Sequence, residues 1–309
     1  MSEINKLISE RKQKLEELRK MGVDVYPRNF STTHVINQVR EKYGALKAEE
    51  KTEETVSLAG RIMSLRGMGK ASFAHIKDQT GKLQIYVRED VLGEGNYLIF
   101  RKFDVGDLIG VTGKVFSTKT GELSILAEKL TLLAKSLRPL PEKWHGLKDI
   151  ETRYRQRYID LLVNEQVKNV FSTRGMIIKE TRKFLDNLGF LEVETPMMQS
   201  IVGGAIAKPF LTHHKALDMD LYLRISPELF LKRLVVGGLE KVYEVNRSFR
   251  NEGVSTRHNP EFTMLEVYQA YSDYNGMMDL CQKMIPLVAK QVLGEEEIVY
   301  QKNKINLGK

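Results

Sequence analysis

Residues 247–268, RSFRNEGVSTRHNPEFTMLEVY, constrain this chain more than any other stretch, because two strand-like runs flank a polar loop that holds Arg257 and His258. Successive side chains of a strand point to opposite faces, so residues two apart share one. Arg250 and Glu252 therefore fall on one face. Phe262, Met264, Glu266 and Tyr268 share a face of the second run, with Thr263, Leu265 and Val267 on the other. The carboxylate of Glu266 thus sits in an aromatic and thioether row, where it needs a partner. The eight residues from Gly253 to Pro260 are too many for a two-residue hairpin turn, and their Gly, Ser, Asn and Pro content marks an irregular loop.

An ordinary antiparallel hairpin with cross-strand ion pairs and a solvated loop would account for a generic Arg-x-Glu on a strand. The full string is less generic. An arginine and a histidine in the loop can clamp phosphate, and the arrangement suits a nucleotide bound beside a cationic substrate. The string resembles signature motif 2 of the class II aminoacyl-tRNA synthetases, whose Phe-Arg-x-Glu core stands here as Phe249, Arg250, Asn251 and Glu252. In detail it is similar to the lysyl-tRNA synthetase form, RNEG-x-S-x-RHNPEFTMLE-x-Y.

A length of 309 residues with 42% hydrophobic and 28% charged content describes a globular chain long enough for two domains. No apolar run approaches a membrane span, and the charged N-terminus lacks the apolar core of a secretory signal, so a cytoplasmic location is expected. The lone cysteine, Cys281, excludes an intrachain disulfide framework and reads as a small buried apolar residue rather than a nucleophile. The net charge of +8 is uneven: residues 1–150 hold 26 Lys and Arg against 20 Asp and Glu, whereas residues 151–309 hold 22 against 20. Such a bias favours a polyanionic partner for the first half, although solubility alone also selects mild basicity.

The expected fold class is α+β, in four parts. Residues 1–55 form an amphipathic helix and a connection. The stripe Ile4, Leu7, Ile8, Leu15 and Leu18 packs onto the protein, while exposed lysines can touch an RNA backbone. The charge run within Glu41 to Ser57 reads as a surface connection. Residues 56–135 carry five short β-rich runs separated by Gly-containing turns, which fits a five-stranded barrel of the OB type better than a sandwich. Residues 136–155, with Pro139 and Pro141, form a hinge, and 156–309 a second domain of antiparallel sheet with helices.

OB barrels bind single-stranded nucleic acid by stacking bases on aromatics above a basic surface. Phe73, Gln84 and Arg66 are the candidates; spacing alone leaves open whether Phe73 points outward or into the core. GRIMSLRGMGKASFAHIKDQTGKLQIYV and KTGELSILAEKLTLLAKSLRPLPEKWHGLKD resemble the anticodon-binding domain of lysyl-tRNA synthetases. The resemblance implies that Arg66, Phe73, Gln84 and Glu122 read the uridine-rich anticodon of tRNA for lysine, Phe73 by stacking and the others by hydrogen bonds.

In the second domain a helix is expected from about Gln166 to Leu188, capped by Gly189, with FLEVETP as the next strand. Helix, strand and Pro196 resemble motif 1, which implies a homodimer; the alternative is a core helix that meets no other subunit. LYLRIS reads as a strand leading into a helix at PELFLKRL, with Glu228 in its first turn. A first-turn Glu is ordinarily a favourable charge at a helix start. The resemblance instead implies a lysine pocket of Gly204, Glu228, Arg250, Glu266 and Tyr268, and carboxylates plus a phenol suit an alkylammonium ion with three donors to satisfy. His213 and His214 read as a loop pair without a further metal-ligand set.

The implied chemistry is activation of lysine with ATP to lysyl-adenylate, then transfer to the 3′ end of tRNA. Arg250 is the catalytic residue, offsetting charge on the α-phosphate. Arg250, Glu252, Arg257, His258, Asn259 and Phe262 bind ATP, with Phe262 stacked on adenine. The family's third motif and its acidic Mg²⁺ ligands have no match before the chain stops at INLGK, so no metal site is expected in this chain. Lys215, Asn246 and Ser248 also depart from residues the family often carries. Two functions are therefore carried: a lysyl-tRNA synthetase whose remaining part lies elsewhere, and a catalytically inactive tRNA-binding remnant that uses only the barrel. Sister enzymes for aspartate or asparagine share the barrel and motif 2 but lack the lysine pocket.

Overall fold

The computed structural model describes residues 3–141, 147, 149–255 and 257–308, apart from the Met68 side chain. The chain divides into two compact units, Met1–Val163 and Asn164–Lys309. Residues 142–146 and 148, in the expected hinge, lie outside the described residues.

The first unit opens with helices α1 (Glu3–Lys20) and α2 (Ile36–Tyr43). Of the apolar stripe of α1 only Leu15 and Leu18 are buried, while Ile4 and Leu7 stay exposed. Polar contacts fasten this helix as much as apolar ones. Arg11 donates to the carbonyls of Ser136 (2.7 Å) and Val105 (3.1 Å), Lys14 pairs with Asp104 at 2.6 Å, and Glu17 accepts from Lys102 at 2.5 Å. Arg11 and Lys14 are therefore anchors of the helix.

Strands β1 (Lys51–Met68), β2 (Ala71–Lys77) and β3 (Lys82–Arg88), short helices α3 (Glu89–Leu92) and α4 (Glu94–Phe100), and strands β4 (Leu108–Ser117) and β5 (Leu123–Ala134) follow. The five strands close on themselves in the order β1-β2-β3-β5-β4, with β3 and β5 parallel and all other neighbours antiparallel. Alternation fills the interior: β2 buries Ser72, Ala74 and Ile76, which leaves Phe73 and His75 on the outer face. Interior residues such as Leu58, Ile62, Ile85, Val111 and Ile125 form one continuous core with Leu15 and Leu18 of α1.

The charged run expected as a surface connection is structured. It spans the end of α2 and the first residues of β1, where Thr55 pairs with Lys114. Charged side chains are tolerated on a strand whose face meets water, and here they are matched: Glu53 with Lys114 at 2.5 Å and Glu54 with Lys42 at 2.6 Å. Helices α5 (Ile150–Arg155) and α6 (Arg157–Val163) end this unit, and Asp160 of α6 is buried against Arg153 and Arg157.

The second unit comprises α7 (Glu165–Asn187), β6 (Leu191–Glu192), β7 (Met198–Gln199), β8 (Phe210–His214), β9 (Met219–Leu223), α8 (Glu228–Val236), β10 (Lys241–Phe249), β11 (Glu261–Gln269), α9 (Tyr274–Leu293), β12 (Glu297–Tyr300) and β13 (Asn303–Asn306). Helix α7 ends where Gly189 turns left-handed at φ 77°. Its main sheet runs β11-β10-β6, with separate sheets β7-β9-β8 and β12-β13. Leu185, Phe190, Tyr243 and Leu280 make the core that ties α7 and α9 to this sheet.

Three local expectations are corrected here. Strand β10 ends at Phe249, opposite Glu261, so Arg250 and Glu252 lie beyond the ladder rather than on a shared strand face. His213 and His214 belong to β8, not a loop, and His213 Nδ1 pairs with Asp220 at 2.9 Å. Cys281 is exposed, because α9 turns the adjacent Leu280 toward the core instead. Among the described residues no helix is long and apolar enough to cross a membrane.

Candidate functional site

The outer face of the barrel gathers Arg66, Phe73, Gln84 and Glu122 around one cavity of about 920 Å³. Strand register builds it in two rows. Arg66 lies opposite Phe73, and Phe73 opposite Tyr86; one step along, His75 stands opposite both Ser64 and Gln84, and Gln84 opposite Ser124. The rings of Phe73 and Tyr86 stack 4.4 Å apart at 14°, and Tyr86 meets Phe116 at 6.0 Å, so the first row is an aromatic strip flanked by a guanidinium. The second row is polar, and Glu122 reaches over it from the β4–β5 turn.

In the second unit the residues expected to bind ATP come together although Arg250 and Glu252 are off the strand. Arg250, Glu252, Arg257, His258, Asn259 and Phe262 line a cavity of about 220 Å³ with Gly253 and Pro260. The backbone NH of Arg250 donates to the carbonyl of Pro260 at 2.9 Å, carrying the hairpin one pair past the ladder. Its guanidinium lies 5.1 Å from the centre of the Phe262 ring, and its Nε is buried without a hydrogen-bond partner among the described residues. A buried, unpaired guanidinium donor is costly unless an anion or other acceptor completes it. His258 is oriented by Ser255, whose hydroxyl lies 2.8 Å from Nδ1.

A second cluster holds the other expected residues. Ser226 Oγ donates to Glu266 at 2.7 Å, and the Tyr268 hydroxyl donates to the other oxygen of Glu266 at 3.2 Å. Burial pushes the Tyr268 phenol well above the ordinary tyrosine range, and the carboxylates of Glu266 and Glu228 add to it, so the hydroxyl stays a donor. Gly204, at φ 87°, closes the group: a Cβ there would stand 2.8 Å from Cβ of Glu228 and 2.9 Å from Oγ of Ser226. Glu228 itself accepts from Lys232 at 2.5 Å, one turn on in α8, so an ammonium group already rests on this carboxylate. Arg250 lines the cavity of the first cluster.

Residues 149–307 match the family model of class II tRNA synthetases for D, K and N, and residues 56–133 match the OB-fold nucleic acid binding domain. The chain belongs to the class II tRNA synthetases. It is 59% identical to the lysine–tRNA ligase of Carboxydothermus hydrogenoformans over 99% of this chain and 62% of that protein. The lysine–tRNA ligase of Pelotomaculum thermopropionicum is 58% identical over 99% of this chain and 59% of its own length, and that of Moorella thermoacetica 57% over 98% and 61%. This class II chain thus spans about three fifths of the curated relatives it matches.

Residue types alone did not single out Tyr86, Phe116, His75, Ser64, Ser124 or Ser226. Tyr86 was within reach, since the alternation in GKLQIYVR places it two residues from Gln84 on the same face. The serines carry no such signal, because their role follows from which strand lies next to which.

Proposed function

We propose that this chain carries the anticodon-reading barrel and the motif 1 and motif 2 portion of a lysine–tRNA ligase. The observation that carries the reading is the cluster around Gly204, where Glu228, Glu266, Tyr268 and Ser226 form an acceptor-rich group in the same unit as the motif 2 cavity. An alkylammonium ion needs such acceptors once desolvated, and an aspartate side chain would be repelled by them.

In this reaction an oxygen of the lysine carboxylate attacks the α-phosphorus of ATP, the bond to pyrophosphate breaks, and lysyl-adenylate forms. The terminal ribose hydroxyl of tRNA for lysine then attacks the carbonyl carbon and AMP leaves. Arg250, with its buried unpaired Nε, offsets charge on the α-phosphate. Glu252, Arg257, His258 and Asn259 position ATP, and Phe262 offers a face to adenine. Arg66, Phe73, Gln84 and Glu122 take the anticodon bases. ATP brings Mg²⁺ in this family, but among the described residues no group of three or more His, Cys, Asp or Glu is placed to hold a metal, and no step here runs through one. Val170, Met176 and Ile177 of α7 are exposed and apolar, which supports a homodimer through motif 1. The reading implies a cytoplasmic enzyme, where tRNA is charged.

Lysine-dependent exchange of pyrophosphate into ATP tests it directly. Exchange that rises with lysine but not with aspartate, and falls when Glu266 is changed to Gln, is the expected result. Binding of tRNA for lysine with no exchange would favour the inactive tRNA-binding remnant.

A further inference from the structure

On the barrel face, side-chain hydrogen bonds run across the polar row and up to the β4–β5 turn. Ser64 Oγ lies 2.9 Å from His75 Nδ1, and His75 Nε2 lies 2.9 Å from Glu122 Oε1. Gln84 Nε2 donates to Glu122 Oε2 at 2.8 Å, while Gln84 Oε1 accepts from Ser124 Oγ at 2.8 Å. The two ends are anchored differently. Ser124 is fully buried in the barrel wall, whereas Glu122 is half-exposed on the turn that follows Gly121.

With a neutral imidazole the chain of bonds has one consistent direction. An ionised carboxylate only accepts, so Nε2 of His75 carries its proton, and a neutral ring then accepts at Nδ1 from the Ser64 hydroxyl. The Ser124 hydroxyl likewise fixes which end of the Gln84 amide faces Glu122. Among the described residues each oxygen of Glu122 is therefore gripped once, which leaves each a second acceptor position for a ligand. A glutamate on a surface turn otherwise samples several rotamers, and holding one costs entropy at the moment of binding.

We propose that His75 is a positioning residue for base recognition: it holds Glu122 in line with Gln84, so that the barrel face favours a base whose ring nitrogen N3 carries a proton. The proposal rests on reading the barrel as the tRNA-binding domain. Uridine offers an N3–H where cytidine offers an acceptor, so exchange of these bases reports on Glu122.

The test uses the full chain with the anticodon stem-loop of tRNA for lysine, and with copies in which one loop uridine at a time is replaced by cytidine. Binding is followed by fluorescence anisotropy. The unaltered chain prefers one uridine over its cytidine copy. His75→Leu loses about tenfold of that preference, the order expected when a hydrogen bond to a charged group is disturbed. His75→Gln, whose amide can donate in place of Nε2, keeps most of it, and His75→Leu adds nothing in a Glu122→Gln chain. Ser64→Ala, which leaves the imidazole in place but unanchored, gives a smaller loss of the same preference and decides the matter if His75→Leu does not fold. A preference unchanged in His75→Leu and Ser64→Ala, or losses that add to that of Glu122→Gln, would overturn the positioning role alone. Failure of the unaltered chain to bind any stem-loop would overturn the tRNA reading and this proposal together.

Discussion

Glu244 of β10 and Glu266 of β11 stand directly opposite each other in the antiparallel pair, and their carboxylates are satisfied by different means. Like charges in this position are destabilising unless each finds its own partner. Glu244 is buried against Arg224 at 2.8 Å and accepts from Thr195 at 2.7 Å; Arg224, 1% exposed, also donates to the carbonyl of Arg247. Glu266 has only the neutral donors Ser226 and Tyr268 among the described residues. One glutamate is thus paired with a cation inside the sheet, and the other has no cationic partner among the described residues. Arg224→Met leaves Glu244 buried and unpaired, and is expected to cost about 3–5 kcal/mol in urea unfolding. Arg224→Met with Glu244→Leu should recover most of that loss.

On the proposed reading Glu266 receives the ammonium group of the substrate. Glu266→Gln retains shape but removes the charge, and its expected effect on lysine-dependent exchange is a rise in KM of about tenfold to a hundredfold. Tyr268→Phe removes one neutral donor and should raise KM less. A rise in KM for ATP of similar size in Glu266→Gln would contradict this division of the two clusters.

The raised phenol of Tyr268 gives an alkaline prediction with a definite sign. Its folded value lies above its unfolded value of about 10, so the stability it contributes is fully present below about pH 10 and is lost as pH rises through the folded value. Spectrophotometric titration should therefore show a late-ionising tyrosine that is missing from Tyr268→Phe, beside late ones from Tyr243 and Tyr43, which burial also raises.

How much was legible in the sequence follows the range of the forces involved. Strand alternation is local, so EFTMLEVY was enough to group Phe262, Met264, Glu266 and Tyr268, and helix periodicity with Gly189 was enough for α7. Register is not local. That His75 stands opposite Ser64 and Gln84 depends on three strands finding one alignment, and no residue in FAHIKD announces it. Strand ends are set the same way: β10 stops at Phe249 because pairing stops at Glu261, which periodicity in RSFRNE does not reveal. Cys281 lies in an apolar-looking segment yet is exposed, because its neighbour Leu280 supplies the apolar signal that faces the core.

An acid-labile fastening of α1 follows from Asp104. Burial pushes its carboxyl up, but hydrogen bonds from Lys135 at 2.5 Å and Lys14 at 2.6 Å outweigh this and hold it below the ordinary range. A depressed folded value contributes stability above the unfolded value of about 3.9, and this is lost as pH falls through the folded value. Lys135, itself buried, also holds Asp107 at 2.7 Å. Lys135→Met leaves the buried Asp107 without its cation and Asp104 with Lys14 alone, and is expected to cost about 3–5 kcal/mol, with acid unfolding, followed by circular dichroism, starting at higher pH.

The aromatic strip gives the last prediction, on RNA affinity without change of chemistry. Phe73 is backed by Tyr86 at 4.4 Å in near-parallel stacking, so one face of its ring is filled, and on the proposed reading the other takes a base. Stacking a base on an aromatic ring is worth about 1–3 kcal/mol, so Phe73→Ala should weaken binding of the anticodon stem-loop by about tenfold to a hundredfold. Tyr86→Leu keeps the stacking ring but removes its support, and its loss should be smaller and should shrink further in a Phe73→Ala chain, because the two rings act as one platform. Lysine-dependent exchange, which needs no tRNA, should be unchanged in both variants. Equal losses of exchange and RNA binding would mean that the strip supports the fold rather than the bases.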